Sequence, residues 1–489
     1  MTSVSIKRFE RHNVVVGNGR LTTRRGFVVS LAATTLGLVS HQFVGGFSVL
    51  VPSSSETEHY LFLQDSTTGL VTMVVTDEEW GERYRLALGA HPNQPVFTHA
   101  LVNNQLMVNA PSMSAPLYGL PGGGMMPAVA TASENPDTTA LDVPPGHICS
   151  FGDRMPIAQG SVVYFNDPTI DPRTYVAENV IAMPATIHDI TQGPDGALWM
   201  LTPAGAFSMA SDALGQGQSV AGFISLIPQV RTSRPGGACS TPFGVVALTA
   251  DGVAVLNGGS VRTLPFSTYQ GRRKLTRPID VLDARQFGRV FPASFGVLVG
   301  FGTDRDYAVA VDLEEGSTSF WYTGDSAAVL NVVGVLRTRD GEDLIIDKSG
   351  VYALHTKGLR DFSDLPAGDI AGAVCGRIQA GPRENPLVRR VSISAANGGA
   401  PVAVCGNGVS DTAKATTVNG DCVIGGAFGN LWGSVDWATL TARSVRCSLN
   451  VRATELDLEV TVSGMGRVIV DAVEVQAGGT WTSKKETQT

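Results

Sequence analysis

The sequence predicts an almost all-β chain, a six- or seven-bladed β-propeller with a small C-terminal β domain. Three observations predict it. A meander of short apolar strands and tight turns recurs along most of the chain. Helical periodicity is scarce. The composition sets 56 Gly and 26 Pro beside 43% apolar residues, with only 16% charged residues against about a quarter in average proteins. At 489 residues the chain is also longer than one hydrophobic core serves, which calls for several domains or one modular array.

The meanders come in order. Phe97–Val102 turns at Asn103-Asn104 into Gln105–Val108. His147–Phe151 passes Gly152-Asp153 to Met155–Ala158, then Gln159-Gly160 to Ser161–Phe165. Ile187–Thr191 passes Pro194-Asp195-Gly196 to Ala197–Leu201, then Ala204-Gly205 to Ala206–Met209. Phe243–Leu248 passes Asp251-Gly252 to Val253–Leu256, and Gly258-Gly259 leads to a further strand at Val261. A fifth unit opens near Phe291 and runs through Gly296–Val299 to Tyr307–Val311. In the sixth, Val332–Leu336 passes Asp340-Gly341 to Asp343–Ile346, then Lys348-Ser349-Gly350 to Val351–Leu354. With starts at 97, 147, 187, 237, 293 and 331 the units lie 38 to 56 residues apart, around the roughly 40–50 of a propeller blade. Val39–Val75 supplies a further blade, and radial closure hides the strand edges. A long β-sandwich array has similar strand spacing and is the rival architecture.

This divides the chain into an N-terminal arm with the first propeller strands at 1–40, a propeller at 41–385, and a C-terminal β domain with a mobile tail at 386–489. In the last, Glu455–Val462 and Val468–Val475 read as half-buried strands of period two. Glu78–Arg85 and Ile279–Phe287 read as short helical turns, and Leu117–Val143 as one long loop. The six cysteines, Cys149, Cys239, Cys375, Cys405, Cys422 and Cys447, show no zinc spacing. They read as buried thiols, with a disulfide such as Cys405–Cys422 open to a chain outside a reducing cytosol.

Net charge of −8 gives no general drive toward nucleic acid or anionic lipid. No apolar run reaches the 18 or so residues of a membrane span. Thr22–Val39, with Arg24-Arg25 ahead of an apolar stretch, looks like a twin-arginine export signal, although no Ala-x-Ala cleavage site follows it.

The sequence holds no nucleophile elbow, Walker loop, H-E-x-x-H or dinucleotide fingerprint after a strand. His188-Asp189 at a blade start is a candidate acid–base or metal pair, weighed against a strand His with one solvated face. Asp304-Arg305-Asp306 has the composition of a calcium turn and equally of an ordinary hairpin turn. Asp195-Gly196, Asp251-Gly252 and Asp340-Gly341 read as hairpin turns needing positive φ. No catalytic, cofactor or metal residue is assigned. Candidate partner or DNA contacts are Arg24 and Arg25, in a basic arm that also holds Lys7, Arg8, Arg11 and Arg20, and the run Arg272, Arg273, Lys274 and Arg277.

Pro144–Arg154 followed by Ala158–Pro168, and then Ile187–Ile190 with Gly193–Thr202, are similar to segments of tailed-bacteriophage virion propellers of the tail-nozzle or head-to-tail connector type. Asn13–Val16 with Gly19–Leu21 and Arg24–Gly26 resembles the arm that opens such proteins, which would make the twin arginines part of the fold. Met155-Pro156 departs from the pattern, and the C-terminal region does not match it. The resemblance implies no enzyme and no catalytic residues. It implies a structural role in a homo-oligomeric ring, hexameric by preference, at the virion tail or neck. Such a ring is assembled in the host cytoplasm, contacts portal, adaptor or tail proteins, passes DNA transiently and touches no membrane. The alternative is a twin-arginine-exported periplasmic propeller enzyme or binding protein; a cellular propeller scaffold is a third reading.

Overall fold

The computed structural model describes residues 27–354 except 129–139, 168–170, 211–223, 250–251, 267–287, 302–306 and 322–329; beyond that span it describes the backbone of strands lying within 2–23 and 372–478. The described chain forms a seven-bladed β-propeller, and none of it is α-helical.

The blades follow one another in sequence as antiparallel sheets spanning 41–90, 98–127, 140–182, 189–227, 238–265, 289–321 and 332–354. Each innermost strand comes first in its blade apart from blade 3, where Ala140–Leu141 adds an outer strand to Tyr175–Ala182. Blade 7 takes only three strands from its own stretch. Its fourth and outermost is Phe27–Ala32, which pairs antiparallel with Gly350–Leu354 and so ties the start of the ring to its end.

Many blade strands are apolar at consecutive positions because both faces are buried. In Glu56–Asp65, Tyr60 and Phe62 face blade 2, packing with Leu106, Val108 and Leu117. Leu61 and Leu63 face the other way, onto Leu31, Leu344, Ile346 and Val351 of blade 7. The described core accordingly divides into seven apolar clusters, one at each seam between neighbouring blades.

Polar latches reinforce the seams. Ser150 of blade 3 accepts the Leu101 N–H at 3.0 Å and donates to the Leu101 carbonyl at 3.1 Å. Asp343 of blade 7 accepts the Ser294 N–H and hydroxyl of blade 6, both at 2.6 Å. Ser48 of blade 1 accepts the Arg337 N–H of blade 7 at 3.1 Å. Buried Glu58 accepts the Tyr60 hydroxyl and the Gly122 N–H, each at 2.9 Å, pinning the Gly-rich turn of blade 2 to blade 1. Three hairpin turns share one device, a Thr hydroxyl donating to the carbonyl of a Gly three residues on: Thr202 to Gly205, Thr241 to Gly244 and Thr249 to Gly252. Gly196 and Gly341 have φ of +79° and +80°, as their Asp-Gly turns require.

Outside the ring, Leu387–Ala396, Ala442–Arg452 and Ile469–Gly478 form one sheet, to which Thr2–Val4 and Arg20–Thr23 add by pairing with Ile469–Gly478. Gly372–Gln379, Glu455–Val462, Pro401–Val409 and Ala415–Val423 form another. Glu10–His12 inserts between Gly372–Gln379 and the outer strand of blade 6, Ser317–Trp321, making one sheet of nine strands.

Two sequence expectations are corrected, and one open alternative is closed. Glu78–Arg85 is not a helical turn: Asp77 accepts the N–H groups of Glu79 and Gly81 in a tight turn, and Glu82–Ala90 continues as the outer strand of blade 1. Leu117–Val143 is not one loop, since it carries strands Leu117–Gly119, Met125–Pro127 and Ala140–Leu141. The register sets Cys405 opposite Asn419 and Cys422 opposite Val402. Three residues of stagger is about 10 Å along a strand, outside disulfide reach. Ile279–Phe287 lies outside the described residues, as does the tail beyond Gly478.

Leu31, 2% exposed in the closing strand, and Val29, 39% exposed in the same strand, make a matched test. Leu31→Ala is expected to lower stability by about 2–5 kcal/mol and Val29→Ala by about 0.5 kcal/mol, read from the midpoint of urea unfolding.

Candidate functional site

The polar residues that gather inside the ring lie where the innermost strands begin. His147, Asp189 and Arg289 are the first residues of the innermost strands of blades 3, 4 and 6, and His188 immediately precedes Asp189.

Asp189 is buried. Its two carboxylate oxygens accept the N–H groups of Gly236 at 2.7 Å and Gly237 at 3.0 Å, in the turn Arg234-Pro235-Gly236-Gly237 that leads into blade 5. Gly236 has φ +80°, and a Cβ there would stand 3.3 Å from Cγ of Arg289. A glycine is needed at this point both for the turn and for the close passage of the arginine. The Gly236 carbonyl in turn accepts the Val290 N–H at 2.8 Å.

Arg289, equally buried, donates to the carbonyls of Gln94 and, at 3.4 Å, Pro95, in the connection between blades 1 and 2. The connection itself comes up to the blade 4–5 turn, where a Cβ on Gly236 would stand 3.6 Å from Cγ2 of Val96. One junction therefore ties blade 4, the blade 4–5 turn, blade 6 and the blade 1–2 connection.

Desolvation dominates the electrostatics. Burial pushes the Asp189 carboxyl up to about 8, against the pull of the backbone N–H groups and of Arg289. It brings Arg289 down to about 10, helped by the charge of Arg234 and opposed by that of Asp189. His147 is drawn down to about 4 by burial and by His188. His188 is half-buried, with Nδ1 3.4 Å from the Thr232 hydroxyl, and burial lowers it too.

The structure thus separates the His188-Asp189 pair: Asp189 is a buried latch, while His188 turns to Thr232. Each oxygen of Asp189 accepts a backbone N–H group, so the carboxyl is held fixed against the Gly236-Gly237 turn. No group of three or more potential metal ligands occurs among the described residues. Arg24, Arg25, Arg272, Arg273, Lys274 and Arg277 lie outside the described residues, as do Asp304, Arg305 and Asp306. Sequence reasoning missed Arg289. Its only mark is a lone charge opening an apolar strand.

The quoted stretch Gly193–Thr202 serves the fold. Asp195 accepts the Ala197 N–H at 3.1 Å and the Gly258 N–H of blade 5 at 3.3 Å. Trp199 is buried in the blade 4–5 seam, and Thr202 caps the next turn.

No family model and no curated protein matches the sequence. Among solved structures, a glycoside hydrolase family 43 arabinoxylan arabinofuranohydrolase from Bacillus subtilis aligns at 11% identity over 89% of this chain and 96% of that chain, with a TM-score of 0.22. A fructofuranosidase from Schwanniomyces occidentalis aligns at 8% identity over 98% of this chain and 100% of that one, TM-score 0.26. TmCBM61, in complex with β-1,4-galactotriose, aligns at 15% identity over 22% of this chain, TM-score 0.15; this chain spans 62% of its length. Likeness of this degree carries no chemistry across, and the propeller stands on the chain's own strand pairing.

Between about pH 4 and pH 8 Asp189 is protonated in the folded protein and ionised in the unfolded chain. Its contribution is therefore full below about pH 4 and falls as pH rises through that window, by at most about 1.4 kcal/mol per pH unit. Asp189→Asn is expected to flatten that part of the stability–pH curve, measured by urea unfolding at a series of pH values.

Proposed function

We propose that the protein is a structural component of a tailed-bacteriophage virion, a tail-nozzle or neck-ring subunit forming part of the conduit for genome delivery. The observation that supports this most is the placement of the segment that resembles an export signal. Its apolar stretch supplies the closing strand Phe27–Ala32, with Phe27 and Leu31 buried in the seams of blade 7.

An export reading requires cleavage beyond that strand, which would remove it and leave Gly350–Leu354 as a bare edge. The arm ahead of it pairs with strands from the far end of the chain, an interlock suited to permanent assembly. Asp189 and Arg289, buried inside the ring, hold linkers together, which fits a wall better than a catalytic centre. On this reading the partners are further copies of the chain and neighbouring portal, adaptor or tail proteins.

Intact mass spectrometry on protein from its natural source, paired with mass photometry, tests it. The expected result is a retained N-terminal arm together with ring-sized oligomers or incorporation into virions. A monomer lacking roughly its first 45 residues, the span an export signal would occupy, would overturn it in favour of an exported propeller enzyme or binding protein.

A further inference from the structure

The connection between blades 1 and 2 does not stay on its own side of the ring. Residues 91–97 belong to no described strand. In a ring of seven blades, the seam they leave faces blade 5 across the axis. Their middle meets that far side. The carbonyls of Gln94 and Pro95 accept the Arg289 guanidinium of blade 6, and Val96 Cγ2 lies 3.6 Å from where a Cβ on Gly236, in the lead-in to blade 5, would stand. The innermost strands of blades 5 and 6 begin at Ala238 and Arg289. The segment therefore spans the mouth of the axial channel at the end where innermost strands begin.

Both ends of the span are anchored. Gln64 Nε2 of blade 1 donates to the carbonyls of His91 at 3.0 Å and Pro92 at 3.1 Å, and the His91 N–H donates to the Gly69 carbonyl at 3.0 Å. At the other end Phe97 stacks on Phe62 at 4.1 Å and leads into Thr98–Val102. The middle is built differently. Gln94 has φ +56°, in the left-handed region that a glutamine seldom occupies, and Pro92 and Pro95 stiffen the piece between the anchors. Pro92 and Asn93 are exposed while Pro95 is buried, so the span has an outer and an inner side. A stiff segment held at its ends, with no ladder to break, can open locally without unfolding its neighbours.

We propose that residues 91–97 form a lid over this mouth of the axial channel and that Arg289 is its catch. Asp189 then has a role in the same device, because its hold on the Gly236 and Gly237 N–H groups fixes the seat on which Val96 rests. With the catch lost, the middle lifts as one stiff piece while Gln64 and Phe97 keep its ends in place. The ring stays closed, since Gln94, Pro95, Val96 and Arg289 lie outside the apolar seam clusters. The lid is separate from the virion reading and stands whether or not that reading holds.

The test places a thiol on the inner side of the lid, by Val96→Cys in the full-length protein, and follows its alkylation by iodoacetamide with peptide mass spectrometry. Native Cys149, buried in the seam of blades 3 and 4, is the internal control. The introduced thiol is expected to react about tenfold or more slowly than an unprotected cysteine, because the lid is down for most of the time. Adding Arg289→Met keeps a stem of similar length and removes the hydrogen bonds to Gln94 and Pro95. It is expected to speed the reaction by about tenfold or more while Cys149 stays unreactive. A thiol at position 96 that reacts as fast as an unprotected one would overturn the lid without recourse to the second variant. A rate unchanged by Arg289→Met, or a Cys149 that becomes reactive with it, would overturn Arg289 as the catch.

Discussion

The structure depends on a constraint of its building block. A four-stranded blade such as 41–90 is apolar on both faces, so neither face can be left to water, and each must find another blade. A linear stack of such sheets would always end in two bare faces. Closing the row into a ring removes both ends at once, and the apolar clusters at the seams, one per pair of neighbours, are the result. The polar latches are secondary to this. Ser150, Asp343, Glu58 and Asp195 fix how neighbouring blades are set against each other, while the apolar seams supply the drive to associate.

The junction of Asp189, Gly236, Gly237 and Arg289 adds a different kind of tie. Seam contacts act between sequential blades; this one acts across the interior, linking blade 6 to the lead-in of blade 2. Burial of these two polar side chains is offset by backbone groups, the Gly236 and Gly237 N–H on Asp189 and the Gln94 and Pro95 carbonyls on Arg289.

The architecture was legible in the sequence because its signals are local. Asp195-Gly196 and Asp340-Gly341 announce hairpins through a backbone conformation that few residues accept, and consecutive apolar runs such as Leu198–Leu201 announce strands buried on both sides. Distant pairing was not legible. Nothing within Phe27–Ala32 says that its partner lies at Gly350–Leu354, and a stretch of small and apolar residues behind two arginines fits a secretory segment as well as a strand. The helical spacing across Glu78–Arg85 misled because a turn capped by Asp77 and a strand of alternating exposure can mimic it. The interior junction was half legible. The pair His188-Asp189 stood out as a pair, whereas its working partners, a Pro-Gly turn and Arg289, look ordinary until the fold brings them together. Within Gly193–Thr202, Asp195, Trp199 and Thr202 serve a latch, a seam and a turn, so that stretch reports architecture more directly than activity.

The strand that closes blade 7 also sets an order of events. Its pairing joins positions about 320 residues apart, and a loop of that length costs about 4 kcal/mol more to close than a hairpin of a few residues. During synthesis Phe27 and Leu31 leave the ribosome long before their partners exist. Six blades can condense in turn behind them, but the ring itself cannot form until residue 354 has emerged. For most of its translation the nascent chain is an open arc with an unmatched apolar face at each end, and those are the surfaces on which chaperones, or neighbouring nascent chains, would compete with correct closure.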